Sequence, residues 1–445
     1  MFDLADQLDS ILPAALEGSV AQIVGMTVAV AGFPAPLGAI AQIQRDAGRP
    51  ARAEVIGFRN DFTLLYPHES LHGVRRGNCV RLLRTARLLP VGEEFLGRVI
   101  DAEARAIDGR VQPAAASRAS LNRLPPPALA RPRIDEALGT GIRAIDGLLT
   151  CGQGQRVGIF AGSGLGKSVL LGMMARSSAA EVNVIALVGE RGREVNQFID
   201  RDLGQDGLKR SVVVVSTSDE PALRRVRAAQ AATAIAEYFR DEGRDVLLVM
   251  DSLTRVAMAH REIGLAAGEP PTSRGYPPSV FSMLPQLVER AGRAERGSIT
   301  GIYAVLVEGD DPQEPVSDAV RGLLDGHIWL SRKLAAQAHW PAIDVLESIS
   351  RLMPDVASSE HQAAAQIIRE LLAAYRDHED LISIGAYRRG ANRRVDVAID
   401  MLDEIHSYLR QRIDEQASLA SATTDLVELA HRARQKLDQS QQRTG

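Results

Sequence analysis

Cysteine is almost absent: Cys79 and Cys151 are the two thiols in 445 residues. Two cysteines so far apart exclude a disulfide framework and a cysteine metal knuckle. Aromatic residues make up only 4% of the chain, which leaves little to build a base-stacking surface with. Lysine is equally scarce. Of 52 basic residues, only Lys167, Lys209, Lys333 and Lys436 are lysines. The arginine excess reads as a compositional bias, and Lys167 stands out against it as a place where a compact ammonium is needed. No apolar run approaches ~18 residues, so no membrane span is expected. The start, "MFDLADQLDS", is acidic and lacks the basic-then-apolar layout of a secretory leader. Together these features lead to the expectation of a cytoplasmic protein.

What is present is ordinary for a globular chain: 45% hydrophobic, 24% charged, net charge −4. At roughly 150 residues per domain, about three domains are expected. Leu4, Leu8, Ile11 and Leu12 fall at helical spacing before Pro13, so residues 1–18 read as a separate N-terminal helix. Residues 19–91 carry short β-rich runs cut by Gly, Pro and Asn, the pattern of a small β-barrel. Residues 92–356 read as an α/β domain with a mostly parallel sheet. Its strands are expected at 156–160, 182–189, 211–217, 245–250, 299–307 and 327–330, with a Pro- and Ala-rich surface linker near 112–133. Beyond that, 357–445 reads as a C-terminal helical domain.

The stretch "AGSGLGKS" at 161–168 follows the strand "RVGIF" and opens a helix. That is the context in which a loop cradles phosphate. Gly162, Ser163, Gly164, Leu165, Gly166, Lys167, Ser168 and Val169 are the binding candidates. The glycines let backbone N–H groups converge on phosphate oxygens, and the helix N-terminus adds positive potential. Lys167 would reach the β- and γ-phosphates of ATP, and the Ser168 hydroxyl would ligate Mg²⁺. Ala161 replaces the usual first glycine, which is tolerable if its φ stays negative.

Other candidates lie downstream. Asp251 ends the apolar run "DVLLVM" and could hold the Mg²⁺ shell through water, although many such aspartates only cap helices. Glu190, in "VGERGREV", could deprotonate an attacking water; Arg191 could touch the γ-phosphate. In isolation that octet reads first as a solvated ion pair. Arg351, in "LESISRLMP", offers a finger cation, and Trp340, in "HWP", could stack on a base or be an ordinary core aromatic.

Taken together, "PVGEEFLGRVID", "GTGIRAIDGLLTCGQGQRVGIFAGSGLGKS", "GERGREV", "DSLTRVAMAHREI", "GEPPTSRGYPPSVFSMLPQLVERAG", "VEGDDPQEPVSDAVRGLLDGHIWLSR" and "PAIDVLESISRLM" resemble the catalytic ATPase of the bacterial type III protein export apparatus, especially its flagellum-specific member. That family is related to the catalytic subunit of rotary ATP synthases, and its loops also carry Ala at the position of Ala161. The resemblance implies a homohexamer with ATP at subunit interfaces. It implies Glu190 as catalytic carboxylate, Arg191 on the γ-phosphate, Arg351 supplied in trans, and adenine contacts from Trp340 and Tyr387. It further implies a stator-like regulatory protein on the N-terminal helix, a central stalk protein, export substrates and chaperones, and a membrane export gate at whose inner face the protein works. The injectisome branch remains open. Deleting residues 2–12 is expected to abolish regulator binding and spare hydrolysis. In "IGAYRRGANRR" the basic tail departs from the acidic continuation usual in the family.

Three other readings compete. An RNA-translocating hexameric helicase shares this core, but Phe33, Phe58, Phe62 and Tyr66 are nearly all the aromatics its barrel would have, so no nucleic-acid partner is expected. A non-catalytic subunit of a mixed ring would have lost Glu190. A rotary synthase catalytic subunit fits "TCGQGQR" and "GEPPTSRGYPPSVF" less well. The arginine runs 224–227, 290–296 and 388–394 read first as solvated faces.

Overall fold

A computed structural model describes residues 16–442, apart from 86, 308, 310 and 312. The expected helix at 2–12 lies outside the described residues.

Valine and isoleucine at alternate positions make the first body. Glu17–Val24, Thr27–Ala31, Ile40–Ile43, Ala51–Arg59, Phe62–Pro67 and Cys79–Arg84 close into a six-stranded barrel. Period-two alternation turns Val20, Val28, Val30, Ile43, Val55, Leu65 and Val80 inward. Closure leaves no free sheet edge. The tip Asn60–Asp61 reverses the chain with Asn60 at φ 52, a left-handed value that asparagine tolerates.

A buried charge cluster ties this barrel to the next body. Glu54, 2% exposed, accepts from Arg227 of the helix Ala222–Asp241 and from Arg87. His68 lies 3.3 Å from Glu103 in the same cluster. Arginine and carboxylate this deep are tolerable only as partners. Glu54→Ala should therefore cost about 3–5 kcal/mol, because two guanidinium groups lose their counter-charge. Denaturant unfolding checks this; a loss below about 1 kcal/mol would mean that water replaces the carboxylate.

The second body is a twisted sheet. Its order is Ile343–Ser350, Gly326–Leu330, Arg156–Ala161, Ser298–Leu306, Asp245–Asp251, Val182–Glu190, Ser211–Thr217, Arg98–Asp101. All neighbours along this path are parallel except Gly326–Leu330 with Ile343–Ser350. The runs "VVVV" and "VIALV" are buried on both faces, as crossover helices require. Two strands were not anticipated. Arg98–Asp101 pairs at the far edge with Ser211–Thr217, and Ile343–Ser350 adds an antiparallel edge at the other side. The expected linker is also more anchored than its composition suggests. Ser117–Ser120 pairs with Leu88–Val91, and Arg131 donates to Glu289 at 2.6 Å.

The helices Ser359–Ser383, Arg393–Leu409 and Leu419–Gln442 pack against the short helix Arg143–Leu148. Gly147 has no side chain where the Tyr408 hydroxyl needs the space: a Cβ there would lie 1.9 Å from that oxygen. The hydroxyl donates to Ala422 O at 2.9 Å, and His361 Nε2 meets Gly147 O at 2.7 Å. No described helix is long and apolar enough to cross a membrane.

Candidate active site

Ligands of open parallel sheets bind beyond the C-terminal ends of the strands. Three strands end there with chemistry. Arg156–Ala161 delivers the glycine loop, Val182–Glu190 delivers Glu190, and Asp245–Asp251 delivers Asp251. Ala161 remains in register with Leu306 and is packed in the core, and its φ is not positive. The left-handed turns fall later, at Gly164 (φ 80) and Gly166 (φ 79). Thus the methyl group of Ala161 costs the loop nothing. The helix Lys167–Ser177 then starts with no side chain capping it, which leaves its first N–H groups available to an anion.

A cavity of about 370 Å³ opens over this loop. Residues 162–169 form its floor, with Glu190, Arg191 and Glu194 on one side and Ser252 and Arg255 on the other. Lys167 Nζ donates to Asp251 and stands 3.9 Å from Glu190. Asp251 is 1% exposed, so this cation and carboxylate hold each other at the base of the cavity. Burial, above all, pushes the Glu190 carboxyl up to about 7; the Asp251 charge adds to this and Lys167 offsets part of it. A hydrogen bond shared with Glu194 also raises Glu190 and holds Glu194 below its ordinary range. Arg191 is at the rim, with 80% of its side chain exposed, 3.6 Å from Glu194.

The oxygen donors suit a hard cation. Ser168 and the carboxylates of Glu190, Glu194 and Asp251 offer hydroxyl and carboxylate oxygen with no sulfur or imidazole. Among the described residues no group of three or more His, Cys, Asp or Glu forms a dedicated metal cage.

A second, apolar cavity of about 260 Å³ lies behind the loop. Gly164, Gly166, Val169 and Met173 meet Trp340, Pro341, Gln411 and Ile413 there. The Trp340 ring is close enough that a Cβ on Gly166 would lie 3.0 Å from it. Tyr387 does not line this cavity in its own chain. It sits in the turn before the helix Arg393–Leu409, where its hydroxyl bonds Asn392 O at 2.9 Å and Asp396 at 3.0 Å. Those bonds hold it at the helix start. Arg351 follows the edge strand Ile343–Ser350, is exposed, and lines neither cavity of its own chain.

Four contributors escaped the reading of the sequence. Glu194 lies in the first turn of the helix Gly192–Gln197, just after the strand that ends at Glu190. Arg255 lies four after Asp251 and packs on Gly189, where a Cβ would approach it to 3.0 Å. Gln411 and Ile413 carried no signal, being a neutral amide and an aliphatic residue far from the loop.

Comparison with known proteins agrees with this geometry. Residues 141–350 match the family described as ATP synthase alpha/beta family, nucleotide-binding domain. Residues 357–428 match the T3SS EscN ATPase C-terminal domain. The chain is 50% identical to the flagellum-specific ATP synthase of Bacillus subtilis (strain 168) over 414 residues, 93% of this chain and 94% of the relative. A solved structure of the assembled ATPase EscN from the enteropathogenic E. coli type III secretion system superposes with a TM-score of 0.88 at 45% identity, covering 93% of this chain and 100% of that one. EscN in complex with its central stalk EscO gives 0.86 at 45% identity, with the same coverage.

Proposed function

The chain belongs to the family of flagellum-specific and type III secretion ATPases and is an ATP-hydrolysing enzyme of protein export; from that premise we propose how its residues divide the work. The export of flagellar proteins is the main reading, supported by flagellum-specific relatives at 50% identity; export through an injectisome is equally consistent, since type III secretion ATPases match at 50–54% identity. The observation that carries the mechanism is the convergence of Lys167, Glu190 and Asp251 at the mouth of one glycine loop.

The loop N–H groups and Lys167 hold the β- and γ-phosphates. Mg²⁺, held by the Ser168 hydroxyl and through water by Asp251, would neutralise phosphate charge. Nucleotide phosphate competes with Asp251 for Lys167, so the pair seen here is one that substrate exchanges. Glu190, partly buried and with its carboxyl raised to about 7, accepts a proton from the water that attacks the γ-phosphorus in line. The bond from that phosphorus to the β–γ bridging oxygen breaks, and ADP leaves. Arg191, exposed at the rim beside Glu194, swings to the γ-phosphate. Arg351 of one subunit reaches the cavity of the next, which its exposure and distance from its own cavity favour. The base rests against Trp340.

A homohexamer turning about a stalk follows as the working form, supported by the likeness to assembled EscN and to EscN with EscO. A stator-like regulator at residues 2–12, a membrane export gate, and export substrates with their chaperones complete the proposed partners. The working place is the cytoplasmic face of the membrane at that gate. Specific ATPase activity measured against protein concentration tests the shared site. A steep rise is expected; a flat, high activity at all concentrations would contradict it unless a preformed ring were seen.

Glu190 also sets a pH dependence. Its ionised form is the base, so kcat/KM for ATP should rise with pH up to about 7, climbing roughly tenfold per unit below that point. Glu194→Ala removes the oxygen that accepts from the Glu190 carboxyl and so raises it, so the limb should move to lower pH. A limb that stays in place would remove the coupling. The sign for stability is opposite to that for activity. Folded Glu190 keeps its proton up to about 7 against an ordinary 4.5, so this group costs stability progressively as pH rises through that window and nothing below it.

A further inference from the structure

A glutamine that no motif marks lies under the segment ending in Arg351. Gln155 is fully buried and immediately precedes the strand Arg156–Ala161. Both ends of its side-chain amide are bonded, as burial of such a group requires. Its Oε1 accepts from Gly152 N at 2.7 Å. Its Nε2 donates to Asp325 O at 3.1 Å and to Ser350 Oγ at 3.2 Å. Asp325 O also accepts the Arg351 N–H, at 3.0 Å. The Ser350 hydroxyl in turn donates to Thr150 O at 2.7 Å. One amide thus grips the residue before Arg351 and the carbonyl that holds Arg351 itself.

The chain after Arg351 rests on the same spot. A Cβ on Gly152 would lie 3.5 Å from Leu352 Cδ1 and 3.4 Å from Val356 Cγ1, so this turn packs on the backbone that the Gln155 Oε1 holds. Close approach is needed on the other side too. A Cβ on Gly326 would lie 2.7 Å from Ile349 O and 3.2 Å from Gln155 Nε2, so any side chain there would part these strands. None of this serves the subunit's own cavity. Gly326 pairs with both Ser350 and Val157, which places Arg351 level with the start of the strand Arg156–Ala161. The glycine loop leaves the other end of that strand, about 15 Å away at about 3.3 Å per residue. Neither Gln155 nor Arg351 lines the cavity over the loop.

We propose that Gln155 is a positioning residue for Arg351, and that it therefore acts on the ATP of the neighbouring subunit and not on its own. This rests on reading Arg351 as the cation supplied across the interface. An arginine side chain has several rotatable bonds, so its aim depends on a fixed backbone at its root. A misplacement of about 1 Å, made far from the chemistry, can cost about a hundredfold in rate.

Gln155→Met in the full chain tests this, because methionine keeps the length of the side chain and removes its hydrogen bonds. Its kcat is expected to fall by about thirtyfold. KM for ATP should change less than about twofold, and ring assembly should be retained. A fall in kcat below about threefold, or a KM that rises in step with it, overturns the role. Mixing at equal proportions then shows whose site is damaged. With Glu190→Gln subunits, which keep Gln155 and Arg351, activity should return to about a quarter of wild type. With Arg351→Ala subunits it should not exceed that of Gln155→Met alone. The reverse pattern would place the damage in the subunit's own cavity and overturn the proposal, as would recovery in neither mixture. Should Gln155→Met not fold, Ser350→Ala removes the hydroxyl that the amide reaches. It should lower kcat by about fivefold and show the same asymmetry of rescue; equal rescue by both partners, or by neither, overturns the proposal. Glu190→Gln mixed with Arg351→Ala separates the two levels. If that mixture stays inactive, the reading of Arg351 falls and this inference with it. If it recovers while Gln155→Met with Glu190→Gln does not, this inference alone falls.

Discussion

Glu190→Gln is expected to lower kcat by about 10³ while nucleotide affinity stays within a few-fold of wild type. The substitution preserves volume and leaves the loop, Lys167 and Asp251 in place, so the phosphate cradle survives. What disappears is a partly buried carboxylate at the cavity wall whose proton affinity is raised to about 7. A base with an affinity for protons close to the working pH combines availability with driving force. Glutamine can hydrogen-bond a water but cannot take its proton. Removing a negative charge beside Lys167 and Asp251 also eases the entry of a polyanion, so affinity should hold or improve. Single-turnover hydrolysis and fluorescent-nucleotide titration measure the two quantities separately. Near-normal turnover would take Glu190 out of its role.

Arg351→Ala is expected to lower kcat by about 10³ or more with the loop intact. In phosphoryl transfer the protein mainly positions groups and neutralises charge on the equatorial oxygens of the γ-phosphate. The cations on the cavity's own chain are Lys167, Arg191 and Arg255. Lys167 is engaged at the floor and Arg255 packs on Gly189, so the open rim has room for a further cation. Arg351 stands exposed, with its N–H donating to Asp325 O at 3.0 Å, just after the edge strand rather than at the cavity. Arg351→Lys should recover little, because an ammonium does not reproduce the planar fork that grips two phosphate oxygens. Ring assembly followed by sedimentation separates a lost finger from a lost interface. An Arg351→Ala protein with wild-type turnover would end the assignment.

The parts of the fold that were legible were those encoded locally. "SVVVVST" is a strand because four consecutive β-branched residues fit only a position buried on both faces, and Ser211–Thr217 is that strand. The phosphate loop was legible because strand, glycine turn and helix are contiguous, so its chemistry is spelled out within one short stretch. Edge pairing was less so. Arg98–Asp101 lies between barrel and linker in sequence, yet it pairs with Ser211–Thr217, and nothing in its four residues names that partner. Ile343–Ser350 drew notice for the arginine after it, not for its own alternation of buried and exposed positions.

The same division runs through the site. Lys167, Ser168, Glu190 and Asp251 end strands or open a helix and carry charge or hydroxyl, so their types announce a use. Gln411 and Ile413 close the second cavity from more than two hundred positions away, and neither residue type suggests a ligand. Tyr387 was named for its aromatic ring; its hydroxyl holds the turn before Arg393–Leu409, a role that side-chain type alone did not announce.

Mixing two inactive proteins tests the shared site most directly. Glu190→Gln subunits lack the base but keep Arg351, whereas Arg351→Ala subunits keep the base but lack the finger. If the site is completed across an interface, mixed rings contain junctions where an intact cavity meets an intact Arg351. At equal proportions and random assembly, about a quarter of junctions are complete, so activity should return to about that fraction of wild type. Mixed rings that form and remain inactive would contradict an Arg351 supplied by the neighbour.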